Sequence, residues 1–124
     1  MNIRKASKSD FAEIKNLIKL YPDKLMQSPL PKLGNFFVAE FQGKIVGCCA
    51  LEVYSKRLAE IRSLVVHPNF QRRGTATKLI KACLKRAKRE KIFEVLSITG
   101  AVGLFGNLGF GTFNKEKYAM LKIV

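Results

Sequence analysis

The spacing of apolar positions along this chain switches between the two-residue period of strands and the three-to-four-residue period of helices. Residues 2–6 (NIRKA) read as a short edge strand. Ser9 and Asp10 then offer a helix cap ahead of Phe11, Ile14, Leu17, Ile18 and Tyr21, whose spacing places them on one helical face. Pro22, Pro29, Pro31 and Gly34 punctuate residues 22–35, which read as a loop with at most a short helical piece. From Asn35 the pattern becomes β-rich: FFVAEFQ, then KIVGCCALEVY, then LAEIRSLVV. The turns between these runs, at Gln42-Gly43 and at Ser55-Lys56-Arg57, are short enough to require three successive antiparallel strands.

A helix is predicted over residues 74–90, with Ala76, Leu79, Ile80, Cys83, Leu84 and Ala87 as its apolar stripe. Residues 93–99 (FEVLSIT) predict another strand, residues 101–108 a short helix stopped by Gly109, and residues 118–124 a last strand. Strands, then a helix, then a strand argue for an α+β fold: a mixed, mostly antiparallel central sheet flanked by helices. No repeat or linker interrupts the pattern. At 124 residues and 48% hydrophobic, the chain is expected to form a single domain over residues 1–124 with one core of ordinary size.

Charge changes the picture. There are 23 Lys plus Arg against 9 Asp plus Glu, a formal net charge of +14, so an anionic partner is expected. Nucleic acid, an anionic membrane surface and a phosphate-rich small molecule all fit that balance. Lys78, Lys81, Lys85, Lys88 and Lys91 recur at helical spacing and read either as a solvated face or as a polyanion groove. No apolar run is long enough to span a membrane, and no apolar signal region follows the charged N-terminus, so a cytoplasmic protein is expected. Cys48, Cys49 and Cys83 read as reduced core thiols, since adjacent cysteines rarely bridge each other. With His67 the only histidine and no cluster at metal-ligand spacing, neither a metal site nor a Ser-His-Asp triad is expected.

The densest chemistry lies in HPNFQRRGTATKLI, residues 67–80, where a predicted strand ends, the chain turns and a helix begins. The first turn of a helix presents unpaired N–H groups and the positive end of the helix dipole, which suits a phosphate. Gly74 lacks a Cβ where a ligand must approach, Thr75 and Ala76 are small, and Arg72 and Arg73 add charge that can act as paired hydrogen bonds. The spacing matches neither G-x-x-x-x-G-K-[ST] nor G-x-G-x-x-G.

Leu64-Val65-Val66-His67-Pro68 followed by Gln71-Arg72-Arg73-Gly74-Thr75-Ala76 resembles the acetyl-CoA-binding motif of the GNAT superfamily of N-acetyltransferases, Q/R-x-x-G-x-G/A after a strand. Leu104-Phe105-Gly106-Asn107-Leu108-Gly109-Phe110 resembles the same family's short helix ending in Gly-Phe. The resemblance implies acetyl-CoA as cofactor, its pyrophosphate gripped by N–H groups of residues 73–77, with Gln71, Arg72, Arg73, Gly74, Thr75, Ala76 and Thr77 at the site. It implies that backbone groups of Leu64, Val65 and Val66 serve the pantetheine arm and the developing oxyanion. Phe105 stands where many members carry a tyrosine that protonates the departing thiolate, so it can line the cofactor site but gives no proton.

Glu60, eleven residues before Gln71 in an AEI triplet, resembles the general base of histone acetyltransferases and the acetyltransferase domain of N-acetylglutamate synthases. The alternative for Glu60 is an exposed carboxylate or one paired with Arg62 on the same face. The implied activity is N-acetyl transfer to a primary amine by direct attack. With Arg62 placed to bind a carboxylate, an acidic amino acid such as glutamate is the first candidate acceptor. Protein amino groups remain an alternative acceptor, and a basic nucleic-acid-binding module on an inactive acetyltransferase fold is the alternative class. A homodimer through edge strands is implied by analogy with the family alone.

Overall fold

The computed structural model describes residues 1–112 and 120–124. Five strands form one sheet in chain order: β1 (Asn2–Lys5), β2 (Phe36–Phe41), β3 (Lys44–Val53), β4 (Leu58–Val66) and β5 (Glu94–Leu96). The first three pairings are antiparallel, and β4 with β5 is parallel. Gln42 and Gly43 both take positive φ, 50° and 78°, which matches the twist of a two-residue β2–β3 hairpin to that of its strands. The parallel step needs a crossover, supplied by α2 (Thr75–Arg89).

The two faces of the sheet are covered differently. On one, Ile14, Leu17 and Ile18 of α1 (Phe11–Lys19) cover Phe36, Val38, Cys48, Ala50 and Val65. On the other, Leu79, Ile80, Cys83 and Ala87 of α2 cover Ala39, Val46, Cys49, Leu51, Ala59, Ile61 and Val66. The alternation of Cys48, Cys49, Ala50 and Leu51 between the two cores is the two-residue period made physical. Gly47 lets α2 settle, because a Cβ there would lie 3.1 Å from Leu79 Cδ1 and 3.2 Å from the Val65 carbonyl oxygen.

Several expectations change. Asp10 is the N-cap residue of α1, within the expected pair, but a 3-10 turn, Lys8–Asp10, capped by Ser7, precedes the helix, and the Asp10 carboxylate reaches back to accept from Ser7 N at 2.7 Å. Asp10 also takes both guanidinium ends of Arg4, at 2.7 and 3.0 Å, which ties β1 to the head of α1. The strand expected over residues 93–99 shrinks to Glu94–Leu96, because beyond Leu96 the chain parts from β4 to turn into α3 (Val102–Gly106). Of the strand expected over residues 118–124, Tyr118 and Ala119 lie outside the described residues, and residues 120–124 form no strand. The loop of residues 22–35 folds back as Gln27 Nε2 donates to the carbonyls of Ile18 and Leu25, each at 3.1 Å, and ends in a 3-10 turn, Leu33–Asn35. No described helix is long and apolar enough to cross a membrane.

Candidate active site

The site begins where two parallel strands part. β4 and β5 stay in register through Glu60 opposite Leu96, after which β4 runs on to Val66 without its neighbour. Only Ser97 Oγ, 3.4 Å from the Ile61 carbonyl, bridges the start of the fork. On its other edge β4 carries a bulge. Arg62 pairs with Ala50 and Val65 with Cys48, so Ser63 and Leu64 together oppose Cys49. Ser63 sits at φ 55°, and such a bulge bends the strand and re-aims the residues after it.

Beyond the bulge the direction of each peptide follows from its partners. His67 N donates to Val46 O on β3 at 2.8 Å, so alternation turns Val65 toward β3 and Val66 away from it. The Val66 carbonyl accordingly accepts from Gln71 Nε2 at 3.1 Å on the open side. The Val66 N–H therefore faces the fork, while that of Val65 belongs to the sheet. Both valine side chains are core, at 3% and 8% exposure.

Past Val66 the chain enters the turn. His67 Nδ1 accepts from Asn69 N at 3.1 Å and caps a 3-10 turn, Pro68–Phe70, so the only histidine is structural here. Arg72 at φ 63° and Gly74 at φ 79° are both left-handed, and backbone bends of this kind gather N–H groups into an anion-binding concavity. The first N–H to close a turn of α2 is that of Lys78, to Gly74 O at 3.1 Å, so those of Thr75, Ala76 and Thr77 precede the ladder. Neither a capping side chain nor an acidic residue occupies that first turn. A Cβ at Gly74 would meet nothing within 4 Å, so approach from outside is open. Arg72 and Arg73 are exposed, with Arg73 resting 5.1 Å above the Phe70 ring. These donors fit a phosphate group.

Gln71, expected at the cofactor, has its amide nitrogen engaged elsewhere. Besides Val66 O it donates to Tyr21 Oη at 3.1 Å, joining the end of β4 to the head of the loop of residues 22–35. Phe105 is 4% exposed, its ring edge-on to Phe110 at 5.0 Å, and belongs to the core under α2. It also borders a groove of about 870 Å³ along the free edge of β5, which includes no residue of the turn.

The candidate base and its neighbours occupy the α1 face of the sheet. Glu60 is half-buried and accepts from Tyr54 Oη at 2.5 Å. Arg62 is not paired with Glu60: its Nη1 lies 2.8 Å from Glu52 Oε2, and its Nη2 points to Pro29 O at 3.4 Å and Met26 Sδ at 3.1 Å. Hydrogen bonding to Glu52 is the main reason the Arg62 guanidinium is held above its ordinary value. Glu52 and Tyr54 are the residues that sequence reasoning missed. The signal was present, since Glu52 on β3 and Tyr54 just past its end alternate with the apolar Leu51 and Val53 and so share a face, but their meeting with Glu60 depends on register. The cysteines are no nucleophiles: all are buried and unbridged, and burial pushes the Cys48 thiol up to about 12.

A five-stranded sheet with its β4–β5 fork, a bulge beside it and a helix start beyond defines an acyl-transfer scaffold, and sequence comparison places it. Residues 3–110 match the acetyltransferase (GNAT) family, and the chain belongs to that family. It is 33% identical over 116 residues to an amino-acid acetyltransferase of Mycobacterium tuberculosis, covering 87% of this chain and 67% of that protein. A Mycobacterium tuberculosis protein crystallised with coenzyme A and a second ligand superposes with a TM-score of 0.87 at 30% identity, over 92% of this chain and 74% of the other. The N-acetylglutamate synthase of Neisseria gonorrhoeae, solved with coenzyme A and N-acetyl-glutamate, shares the fold with a TM-score of 0.81 at 24% identity, over 94% of this chain and 30% of the other. The chain spans 60% of the length of a further curated relative.

Proposed function

We propose that the protein transfers an acetyl group from acetyl-CoA to the amino group of an amino acid, with Glu60 as the base at the fork. When bound, acetyl-CoA supplies the acetyl group as a thioester. The N–H groups of Thr75, Ala76 and Thr77, with Arg72 and Arg73 beside them, hold the diphosphate at the start of α2. The Val66 N–H, turned into the fork, donates to the pantetheine arm or to the oxygen that gains charge as the amine attacks.

At neutral pH an amine arrives largely as its ammonium form, and attack needs the lone pair. Glu60 removes that proton, and as the C–N bond forms and the C–S bond breaks the second proton lost by the nitrogen passes to the departing thiolate. The thiol of the coenzyme leaves as thiolate, which its reference pKa of about 8.5 permits without the acid that Phe105 lacks. Arg62, two residues along the same face, receives the carboxylate of the acceptor, so that one zwitterion spans Glu60 and Arg62. The likeness to an amino-acid acetyltransferase over 87% of the chain supports an amino acid as acceptor. An acidic amino acid such as glutamate is the first to test, in keeping with the net charge of +14.

The observation that carries this reading is the fork itself: Glu60 stands in its last register pair, and the open strand beyond leads to an uncapped helix start. Titration calorimetry with acetyl-CoA, followed by a thiol-release assay over a panel of amino acids and a lysine-containing peptide, tests it. Coenzyme binding with turnover on a free amino acid is the expected result. Binding with turnover on the peptide alone moves the acceptor to protein amines, and no binding at millimolar coenzyme overturns the reading.

A further inference from the structure

Glu52 and Glu60 face each other directly across the β3–β4 register. Like charges in that position repel, so the pair needs company. Arg62 answers Glu52 alone, through Nη1 at 2.8 Å. Tyr54, just past the end of β3 and diagonal to Glu60, reaches both carboxylates: its Oη lies 2.5 Å from Glu60 Oε1 and 3.2 Å from Glu52 Oε2. A phenol has one proton to donate. The shorter contact and the prior claim of Arg62 on Glu52 assign that proton to Glu60. Packing does not account for the tyrosine, since its side chain is exposed and belongs to neither core cluster.

We propose that Tyr54 is a positioning residue for acetyl transfer: its hydroxyl fixes Oε1 of Glu60 and leaves Oε2, which has no hydrogen-bond partner among the described residues, as the oxygen that takes the proton of the acceptor amine. This rests on Glu60 being the base. Around Glu60 stand Glu52 on β3, Tyr54 just past its end, Arg62 on β4 and the apolar Leu96 on β5, while Met26 and Pro29 of the loop reach only Arg62.

The Tyr54→Phe variant keeps the ring and removes the donor. Its kcat/KM at neutral pH is expected to fall about tenfold, within the range for a hydrogen bond to a charged group. The loss should fall on kcat, with the acceptor KM and the coenzyme dissociation constant by calorimetry each within about twofold of the wild type. A Tyr54→Phe enzyme with wild-type kcat, or one whose loss falls on the acceptor KM, overturns the proposal. Glu60→Gln separates the two levels: a strong loss there with a silent Tyr54→Phe removes Tyr54 alone, whereas an unaffected Glu60→Gln enzyme removes the base and Tyr54 with it.

Discussion

The two halves of the site are built from different materials. The turn proposed to face the coenzyme is mostly main chain: left-handed bends at Arg72 and Gly74, the free N–H groups of a helix start, and a strand whose peptides alternate. The proposed acceptor face is side chains: Glu52, Glu60 and Arg62 of two strands and Tyr54 just past the end of one, roofed by Met26 and Pro29 of a loop. A backbone site tolerates many side chains and demands only room and φ freedom at a few positions. A side-chain site stands or falls with register, since a slip of one residue would turn Glu60 and Arg62 into the core and Ala59 and Ile61 out of it.

The largest effect should separate chemistry from binding. Glu60→Gln keeps shape and hydrogen bonding yet removes the proposed base, and general-base catalysis contributes on the order of 10²- to 10⁴-fold. The expected result is kcat reduced by at least about 10²-fold at neutral pH with the coenzyme dissociation constant unchanged. If both parameters moved together, the halves would not be separable in this way.

Next in size is the anchor that keeps α1 over the acceptor face. The Arg4 guanidinium, and after it hydrogen bonds from Ser7, hold the buried Asp10 carboxyl at about 2, against an ordinary 3.8. A carboxyl lowered on folding stabilises the native state fully above its unfolded value. That stabilisation, about 2 kcal/mol, is lost as pH falls from near 4 toward 2. Denaturant unfolding of the wild type should weaken across that window, and Asp10→Asn should flatten this part of the curve while lowering stability at pH 7. An Asp10→Asn protein with wild-type stability at pH 7 would show that the ion pair holds nothing in place.

Most of the fold was legible because its signals are periodic. The alternation on β2, β3 and β4 and the stripe on α2 survive in the structure with bounds shifted by a residue or so. What failed was local. Asp10 caps α1 as expected, but the 3-10 turn before it, and its carboxylate reaching back to Ser7 with Arg4 arriving from β1, left no trace in the pattern. β5 ends early because the strands must part, which no pattern within FEVLSIT records. At the site, the turn was readable from Gly74 and its small neighbours, while the partnership of Arg62 with Glu52 was not. Arg62 and Glu60 share a face two residues apart, but Glu52 lies closer in space through a pairing ten residues distant in the chain.

The main-chain character of the turn predicts a conformational penalty at Gly74. Its φ of 79° costs a residue with a Cβ about 1–2 kcal/mol, and a β-branched side chain fares worst. Gly74→Ala and Gly74→Val should weaken coenzyme binding by about tenfold or more in that order of severity, with the acceptor KM little changed. Wild-type affinity in both variants would mean that the N–H groups at the head of α2 are not where the diphosphate lies.

The smallest effect is the most discriminating, because Gln71 sits between the halves. Its amide nitrogen holds the Val66 carbonyl at the fork and the Tyr21 hydroxyl at the head of the acceptor loop. As a brace it contributes about 1 kcal/mol, the net worth of an ordinary hydrogen bond, and its loss is felt on both sides. Gln71→Ala should therefore raise the acceptor KM and the coenzyme dissociation constant together, each about fivefold. Tyr21→Phe removes one of the two partners and touches nothing at the turn, so on this view it reproduces part of the acceptor effect. A phosphate ligand would behave otherwise: Gln71→Ala would weaken the coenzyme alone, and Tyr21→Phe would be silent. Measuring both constants in both variants thus decides whether the first residue of the coenzyme motif works on the coenzyme or ties the backbone half of the site to the side-chain half.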